Sequence, residues 1–518
     1  MASPDAAELF ACLHRHVETV RRATRRDGPV PGLLPDALDV VSLTPPEWAH
    51  PDDGRTLILS NFANQQDLLR LLDGLSAATG AAEPAAFSRE LILANVEHAS
   101  DDSGLLHWGG HRAIDLVSGS PFGMEDFHEL KAHYPDYEAL HALRPAATRG
   151  FITAFWQRHV LDWDQLDLNR HGSFGAPPAS LAPWPQPRRL APVFFVGRGL
   201  SFINTGSDLF YAAALLARFT GEERPRLWAH ALARRYAEET RHPETGLGGY
   251  QFSRIEGDRA EAQLGPEFGE RAREYSVLDR TRATRKFACV ALCQLELAER
   301  LGAAGTCYLE WAVADLKAFA RHAYDPARHC FHAVLRDGTR LSPSDVRRPG
   351  YYTRETFAPY PASSLFAWAY ARAFRLTGDP VVGHTAASIA RGLGLGDIAA
   401  GAPAVPAQGG DPWTLHALLE WHRIRGEAVL LSAAQAVGAQ ILRERRVNHL
   451  FVDRPRQRFA RVGAAAPLAL LHLATALAGL PPETVPAQLP GQKYFTAHAW
   501  ERGRTSDYLD WFPQELPA

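Results

Sequence analysis

The sequence repeats one local pattern, in which a helix rich in Ala, Leu and aromatic residues closes at a glycine turn and a second amphipathic helix follows. The clearest copy runs from residue 208 to 240, DLFYAAALLARFTGEERPRLWAHALARRYAEET, with Gly221 at the turn and Pro225 in the first turn of the next helix. Glycine commonly ends a helix, and proline suits the start of one. The pattern recurs in later segments, at 284–319, at 363–393 and, as a single helix, at 465–482.

The turns at Gly221, Gly302 and Gly378 are 81 and 76 residues apart, which leaves room for two hairpins of ordinary helix length in each interval. One hairpin is too small to bury its apolar stripe alone, so neighbouring hairpins must stack. Closing such a stack into a ring leaves a central cleft lined by loops. The pattern therefore predicts an all-α protein, an α/α barrel of six or seven helical hairpins, with residues 1–518 in a single domain.

Three segments interrupt this helical pattern. Residues 247–255 (LGGYQFSRI) and 329–341 (HCFHAVLRDGTRL) have β character, and the second has an Asp-Gly turn between alternating apolar residues. We expect both to form short β-hairpins at the rim of the cleft. Residues 172–193 are rich in Pro, Gly and Ala, so we expect a long crossing loop there rather than helix.

Composition and charge exclude several classes of protein. Hydrophobic residues make up 46% of the chain and charged residues 22%, as in soluble globular proteins, and no apolar run reaches the length of a membrane span. The formal net charge of −3 argues against a nucleic-acid partner, which would favour a basic excess. We expect neither a nucleic-acid nor a membrane partner, and the pattern leaves the oligomeric state open.

Cysteine usage and the N-terminus bear on the cellular compartment. The five cysteines are an odd number without C-x-x-C spacing, so we expect reduced thiols in the core. Residues 1–28 lack the basic, apolar and small-residue order of a secretory leader and instead resemble an amphipathic helix. These features predict a cytoplasmic protein.

Residues that carry chemistry concentrate between positions 97 and 171. The sequence has no Walker A, G-x-S-x-G or H-E-x-x-H motif. It has instead three segments that combine His, Glu, Lys and Arg, namely 107–112 (HWGGHR), 127–131 (FHELK) and 168–172 (LNRHG). Mixed imidazole and carboxylate ligands suit Mn²⁺, Ni²⁺ or Zn²⁺ better than Ca²⁺, which prefers oxygen alone. The two glycines of HWGGHR would let His107 or His111 approach such an ion closely.

Four segments resemble the family 2 polysaccharide lyases and their uncharacterised relatives, intracellular pectate lyases with an α/α barrel. The segments are WGGHRAIDL, HELKAHYPDYEAL, TRGFITAFWQRHVLDWDQLDLNRHGSF and FFVGRGLSFINTGSDLFYAAALLARFTGE, which lie between about residues 90 and 255. The resemblance implies one divalent metal ion held by His, Glu and His. Mn²⁺ is the expected ion, with Ni²⁺, Zn²⁺ or Ca²⁺ as alternatives.

The resemblance also implies roles for individual residues. Glu129 and His171 become metal ligands, and Arg170 becomes the base that removes the proton from C5 of a uronate. The first His ligand is His111, with His107 as the alternative. Because arginine normally stays protonated, Lys131 is the alternative base, since a desolvated lysine gives up its proton more readily.

The substrate that the resemblance implies is an acidic oligo- or polysaccharide such as pectate, cleaved by β-elimination. A cation and arginine side chains would stabilise the negative charge that develops on the uronate carboxylate. We expect two aromatic rings near the motifs to stack on sugars and three arginines to bind carboxylates. These residues are Trp108 and Tyr250, and Arg198, Arg282 and Arg285.

Three other functions fit the same helical pattern. An α/α-barrel glycoside hydrolase would need paired carboxylates, for which Asp115, Asp208 and Glu355 are available. A sugar epimerase would change a sugar without cutting a chain, and a non-catalytic helical scaffold would bind no metal. The pattern leaves open the uronate polymer, endo or exo action and the native metal. An unsaturated product that a chelator abolishes would distinguish the lyase from all three.

Overall fold

Helices dominate the structure, a computed structural model that describes residues 3–24, 27–50, 53–123, 126–175, 184–348, 350–491, 499–501, 504–506 and 515–516. The α-helices in these ranges are α1 (Ala6–Arg22), α2 (Gln66–Thr79), α3 (Ala82–His98), α4 (Tyr137–Leu143), α5 (Pro145–His159), α6 (Ile203–Thr220), α7 (Glu223–Arg234), α8 (Arg259–Leu264), α9 (Arg280–Thr284), α10 (Ala291–Leu301), α11 (Thr306–Ala323), α12 (Ser364–Thr377), α13 (Pro380–Gly392), α14 (Pro412–Arg425), α15 (Ala428–Arg445) and α16 (Ala465–Leu477).

The strands are short and pair antiparallel in small sheets at the ends of the helices. They are β1 (Ala37–Asp39), β2 (Trp48–Ala49), β3 (Thr56–Leu57), β4 (Leu59–Ser60), β5 (Arg112–Asp115), β6 (Pro121–Gly123), β7 (Phe127–His128), β8 (Val160–Asp162), β9 (Asp167–Leu168), β10 (Gly172–Ser173), β11 (Val277–Leu278), β12 (Tyr324–Asp325), β13 (Cys330–Phe331), β14 (Val334–Leu335), β15 (Tyr360–Pro361), β16 (Gly396–Asp397), β17 (Ala402–Pro403), β18 (Arg446–Val447), β19 (Leu450–Phe451), β20 (Phe459–Arg461), β21 (Ala499–Glu501) and β22 (Arg504–Ser506). The pairings β4–β5–β6 and β7–β10 lie beside the candidate site described below.

Within the described ranges, seven helix pairs form the barrel. Six are consecutive in the chain, α2–α3, α4–α5, α6–α7, α10–α11, α12–α13 and α14–α15, and the seventh joins α16 to α1. The inner helices are buried on nearly all sides, and α6 is buried at every position from Ile203 to Ala217. Because α16 packs against both α14 and α2, the first and last parts of the chain meet. The predicted α/α barrel of six or seven hairpins is confirmed.

Buried polar contacts join α2 to the segment that precedes α4. Arg70 on α2 donates a hydrogen bond to the carbonyl of Tyr134 at 2.6 Å, and Gln66 accepts one from the backbone N–H of Asp136 at 2.8 Å. Both side chains are almost fully buried. A buried polar group must be satisfied, so these bonds fix where the segment before α4 crosses the barrel.

The predicted helix ends agree with the structure at two of the three glycine turns. Gly221 and Gly378 follow α6 and α12 in the left-handed conformation, with φ of +73° and +67°, and each turn leads directly into the second helix of a pair. Gly302 instead opens a short 3₁₀ turn before α11. A wider π-helical turn, Arg285–Val290, joins α9 to α10, so the inner helix starts at Arg280.

The two predicted rim hairpins have different outcomes. Residues 329–341 supply β13 and β14 and turn at Asp337 and Gly338, although each strand also pairs with a distant segment. The prediction of a hairpin at 247–255 is wrong. Its backbone bonds instead to residues 194–203, with Tyr250 accepting from the N–H of Ile203 and Phe252 from that of Phe194, because its side chains are buried beneath that segment.

Of the predicted crossing loop at 172–193, residues 176–183 lie outside the described residues. Residues 184–191 lie against α7, where Trp228 donates to the carbonyl of Pro185 at 2.9 Å. The assignment of residues 1–518 to one domain stays a prediction. In the described part of the chain, no helix is long and apolar enough to cross a membrane. All five cysteines are free thiols, as expected, and all but Cys307 are buried.

Two glycines give a test of the helix-end argument. A Cβ at Gly221 would meet no atom within 4 Å, so Gly221→Ala strains only the left-handed backbone and should lower the free energy of unfolding by about 1 kcal/mol. Gly150, inside α5, is equally open but has no positive φ, so Gly150→Ala should stabilise the protein by about 0.5–1 kcal/mol. Shifts of opposite sign in the denaturant midpoint are expected; equal shifts would contradict the assigned turn.

Candidate active site

Backbone pairing brings the three predicted segments together. Strand β7 pairs with β10 so that His128 lies opposite Gly172, which places Glu129 next to His171. Gly109 forms a parallel bridge with Glu129, and the N–H of Gly110 donates to the Glu129 carbonyl at 2.8 Å. The order of the strands therefore sets the positions of His111, Glu129 and His171 before any side-chain contact is considered.

The side chains of His111, Glu129 and His171 converge on one point. The Nε2 atom of His111 lies 3.2 Å from Glu129 Oε2, and that of His171 lies 3.3 Å from Glu129 Oε1. The two Nε2 atoms are 3.0 Å apart. A divalent ion with bonds of about 2.0–2.2 Å holds neighbouring ligand atoms roughly 3 Å from each other, so this donor set fits such an ion.

The two glycines before His111 are needed for this approach. A Cβ at Gly109 would lie 1.8 Å from the Glu129 carbonyl oxygen, and one at Gly110 would lie 2.0 Å from Glu129 Oε2. Contacts this short do not occur, so any larger residue would push the carboxylate away from the two imidazoles. The close approach that these glycines allow is that of His111 to Glu129.

His107, the alternative first ligand, does not join the group of ligand atoms. Its ring stacks on Phe174 at 4.5 Å between centroids. Burial, together with the charge of Arg112, lowers the pKa of His107 to about 4, so it stays neutral. Its place in the structure is that of a packed aromatic ring.

Two cations flank the carboxylate of Glu129. Lys131 Nζ lies 2.8 Å from Glu129 Oε1, and Arg170 Nε lies 3.7 Å from the same oxygen. Burial alone would raise the pKa of Glu129, but the hydrogen bond from His171 and the charge of Lys131 hold it well below its usual range. Burial lowers the pKa of Lys131, partly opposed by Glu129. The carboxylate is therefore ionised across the whole ordinary pH range.

A buried chain of hydrogen bonds, which the sequence did not reveal, lies behind the ligands. Trp108 Nε1 donates to His128 Nε2 at 3.1 Å, so His128 must carry its proton on Nδ1. That proton points to His159 Nε2 at 2.8 Å, and His159 in turn donates from Nδ1 to the carbonyl of Asn169 at 2.8 Å. Burial lowers the pKa of both histidines, that of His159 to about 4. Both rings are therefore neutral, and the direction of each hydrogen bond in the chain is fixed.

The prediction that Trp108 stacks on a sugar is wrong. Its side chain is fully buried, with its ring between Phe62 and Phe151 and its N–H used by His128. No ring face is left for a ligand. It starts the hydrogen-bond chain behind His111, Glu129 and His171.

The other predicted substrate residues divide into two groups. Tyr250, Arg282 and Arg285 line one cavity of about 210 Å³ together with Arg170, and their contact with a substrate stays a prediction. The ring of Tyr250 is nearly buried, and it presents its hydroxyl, 3.3 Å from Arg285. Arg198 does not line that cavity and its side chain is exposed, while its backbone N–H donates to Asp167.

Arg282 is held by protein carboxylates. It pairs with Asp279, with Glu274 at 3.1 Å and with the hydroxyl of Tyr351 at 3.3 Å. Its side chain is almost entirely buried, and neighbouring acidic groups raise its pKa above the usual value despite burial. The sequence analysis did not identify Asp279 or Tyr351 as partners of Arg282. The position of Asp279, three residues before Arg282, could have indicated the ion pair.

The carboxylates of the hydrolase alternative do not form a pair at the site. Asp115 accepts from backbone N–H groups of the turn after β5, and Asp208 accepts from those of His133 and Tyr134. Burial raises the pKa of Asp208 to about 7. Glu355 begins a 3₁₀ turn, and none of the three lines the cavity that contains Arg170.

A second group of possible ligands, Asp325, Cys330 and His332, lies on the rim around β12 and β13. Asp325 faces Cys330 across the strand pair, and His332 follows two residues later on the same side. The His332 Nε2 and Asp325 Oδ2 atoms are 3.8 Å apart, wider than in the first group. None of these residues lines the cavity of Arg170.

The comparisons with known proteins concern almost the whole chain. The family model described as periplasmic pectate lyase matches residues 31–498. The pectate disaccharide-lyase of Dickeya dadantii (strain 3937) is 32% identical over 509 residues, which cover 90% of this chain and 89% of that protein.

Solved structures with a similar arrangement of helices are more distant. A D-mannose isomerase is 12% identical with a TM-score of 0.48, covering 92% of this chain and 99% of that one. A family 76 glycoside hydrolase from a bovine Bacteroides thetaiotaomicron strain is 12% identical with a TM-score of 0.45, covering 92% and 79%.

The family description corrects one expectation and confirms another. The predicted cytoplasmic location is wrong, since the matching family is described as periplasmic. The five free thiols do not exclude that compartment, because a protein without disulfides can fold there as well. The assignment as a polysaccharide lyase, made from segments at residues 90–255, holds over a much longer stretch. With a model match over residues 31–498 and a curated relative at 32% identity, the chain belongs to the periplasmic pectate lyase family.

Proposed function

We propose that this lyase cleaves pectate-like polyuronate chains by β-elimination and that it depends on one divalent metal ion, with Mn²⁺ as the expected ion. The observation that carries the proposal is the convergence of His111, Glu129 and His171 beside an arginine-lined cavity. The substrate class follows the printed name of the curated relative, a pectate disaccharide-lyase. The hydrolase alternative lacks its carboxylate pair at this place.

His111 and His171 would hold the ion through Nε2 and Glu129 through its carboxylate oxygens. When bound, the ion supplies positive charge to the uronate carboxylate, which makes the proton on C5 more acidic. Glu129 is suited to this role because it is ionised and cannot turn away, being fully buried under Gly109 and Gly110. The buried chain from Trp108 to Asn169 holds the loop that carries His171.

Arg170 is the proposed base. It lines the cavity, whereas Lys131 does not, and it lies next to the ligand His171 in sequence. Arg170 would take the proton from C5, and the electron pair left behind would form the C4–C5 double bond as the C4–O bond breaks. The departing oxygen would take its proton from water.

Arg285 is the proposed partner of the uronate carboxylate. It lines the cavity with Arg170, and a guanidinium offers the paired N–H donors that a carboxylate can accept. One of its nitrogens also donates to the Tyr250 hydroxyl at 3.3 Å. Arg282, by contrast, already faces two carboxylates, and its proposed role is to hold the wall of the cavity. Tyr250 orients Arg285.

Loss of the buried carboxylate should remove the metal ion. We expect Glu129→Ala to weaken Mn²⁺ binding at least 10–100-fold, the range found when metal-site partners are removed. Metal content after chelation and reloading, measured by elemental analysis, would show it. Glu222→Ala removes an exposed carboxylate that pairs with Arg149 and should keep full metal content. Full occupancy in Glu129→Ala would refute the ligand assignment.

Replacement of the proposed base should abolish elimination while leaving the metal in place. Arg170→Lys should lower the rate of unsaturated-uronate formation about 10²–10⁴-fold, the usual contribution of a positioned base, with unchanged metal content. The absorbance of the unsaturated product measures the rate. If Arg170→Lys keeps nearly full activity while Lys131→Ala has none, Lys131 is the base. If no polyuronate yields this product with the wild-type protein, the proposed function fails.

A further inference from the structure

A second cavity, of about 480 Å³, adjoins the one that contains Arg170. Thr281 and Arg285 line both cavities, so the two meet at the start of the inner helix α9. The second lies between the beginnings of α9, α12 and α14, the central mouth of the barrel. Its volume is within the range of ligand pockets, about 300–1,000 Å³, whereas the first, at about 210 Å³, is below it.

The second cavity is positively charged. Arg280 and Arg285 line it, and the described residues of its lining include no aspartate or glutamate. Arg280 has an exposed side chain, and no carboxylate of the described residues forms an ion pair with it. A cavity with arginine and no acid favours an anionic ligand.

Two hydroxyl groups in the same lining lack a protein partner. The Tyr360 hydroxyl and the Ser363 Oγ are buried atoms without a hydrogen bond among the described residues. Tyr360 as a whole is only 4% exposed. A buried polar atom left unpaired costs free energy, and a ligand hydroxyl or carboxylate entering the cavity would satisfy both groups.

An aromatic ring completes the lining. Trp413, at the start of α14, is half-buried and stacks on Trp368 with ring centroids 5.6 Å apart and planes 9° from parallel. The stack holds the indole rigidly. A fixed aromatic ring offers a flat apolar surface to the C–H face of a pyranose, and its neighbours Ser363 and Tyr360 can bond the sugar hydroxyls.

We propose that this second cavity binds the uronate residue next to the one at the cleavage site. Arg280 binds its carboxylate, Trp413 stacks on its ring, and Tyr360 and Ser363 bond its polar groups. Arg285, which lines both cavities, lies between the carboxylates of the two neighbouring sugars. The inference rests on the proposed function for the identity of the first sugar, whereas the ligand class of the second cavity follows from its own lining.

The test compares oligogalacturonates of two to six sugars. In the wild-type protein, the added sugar that occupies the second cavity should give a clear rise in kcat/KM over the next shorter substrate. Arg280→Ala and Trp413→Ala should each reduce that rise about tenfold or more, mainly through KM, and leave kcat/KM on the shortest cleaved substrate unchanged. Arg328→Ala, which removes an exposed arginine outside both cavities, should keep the full rise. An undiminished rise in both cavity variants would overturn the proposal.

A binding measurement separates this inference from the proposed function. If the wild-type protein eliminates no uronate, the proposed function fails, and titration calorimetry with hexagalacturonate then tests the cavity alone. Binding at least tenfold weaker in Arg280→Ala than in wild type and Arg328→Ala would support an acidic-sugar site. Equal affinity in the three proteins, or no binding at all, would overturn it.

Discussion

The buried carboxylate of Glu129 is the constraint on which the candidate site depends. Its side chain has no exposed surface, and a charge buried without compensation costs several kcal/mol. Groups that stabilise the negative charge must therefore surround it, and His111, His171 and Lys131 do so within 3.3 Å. The same crowding leaves no room for a side chain at Gly109 or Gly110. The positions of the two histidines, the need for glycine at positions 109 and 110 and the nearby positive charge therefore all follow from one buried carboxylate.

The hydrogen-bond chain from Trp108 to Asn169 explains how a loop can hold His171 in a fixed position. His171 follows β9 on a turn that has no regular structure of its own, yet His159 bonds the Asn169 carbonyl through its ring and accepts the Asn169 N–H at its own carbonyl. Because Trp108 can only donate, the direction of every proton in the chain is determined from that end. Two neutral histidines therefore act as rigid connectors between the core and the turn, and neither is available to exchange protons with a ligand.

Sequence patterns predicted the barrel well because six of the seven helix pairs described above are consecutive in the chain. The glycines that end the helices and the apolar residues of each helix pair lie within about thirty residues of each other. Both signals can therefore be recognised in the sequence without knowing the fold. The choice between His107 and His111 depended on a strand contact with Glu129, twenty residues away, and the burial of Trp108 depended on Phe62 and Phe151 from other elements. The predicted hairpin at 247–255 failed for the same reason, because its hydrogen bonds go to residues 194–203. Contacts between distant segments leave little trace in one sequence.

The two mouths of the barrel differ in the number of acidic residues beside their arginines. This difference bears on where an acidic chain can bind. The mouth formed by the ends of the inner helices encloses about 570 Å³, and each of its lining arginines pairs with a glutamate: Arg218, Arg300, Arg372, Arg375 and Arg423. Because each of these arginines is neutralised by a glutamate, this mouth has little attraction for an anion. At the mouth formed by the helix beginnings, Arg280 and Arg285 line a cavity to which the described part of the chain contributes no acid. The net charge of −3 does not reveal this difference, because attraction for an anion depends on where arginines and acids lie relative to each other rather than on their total number.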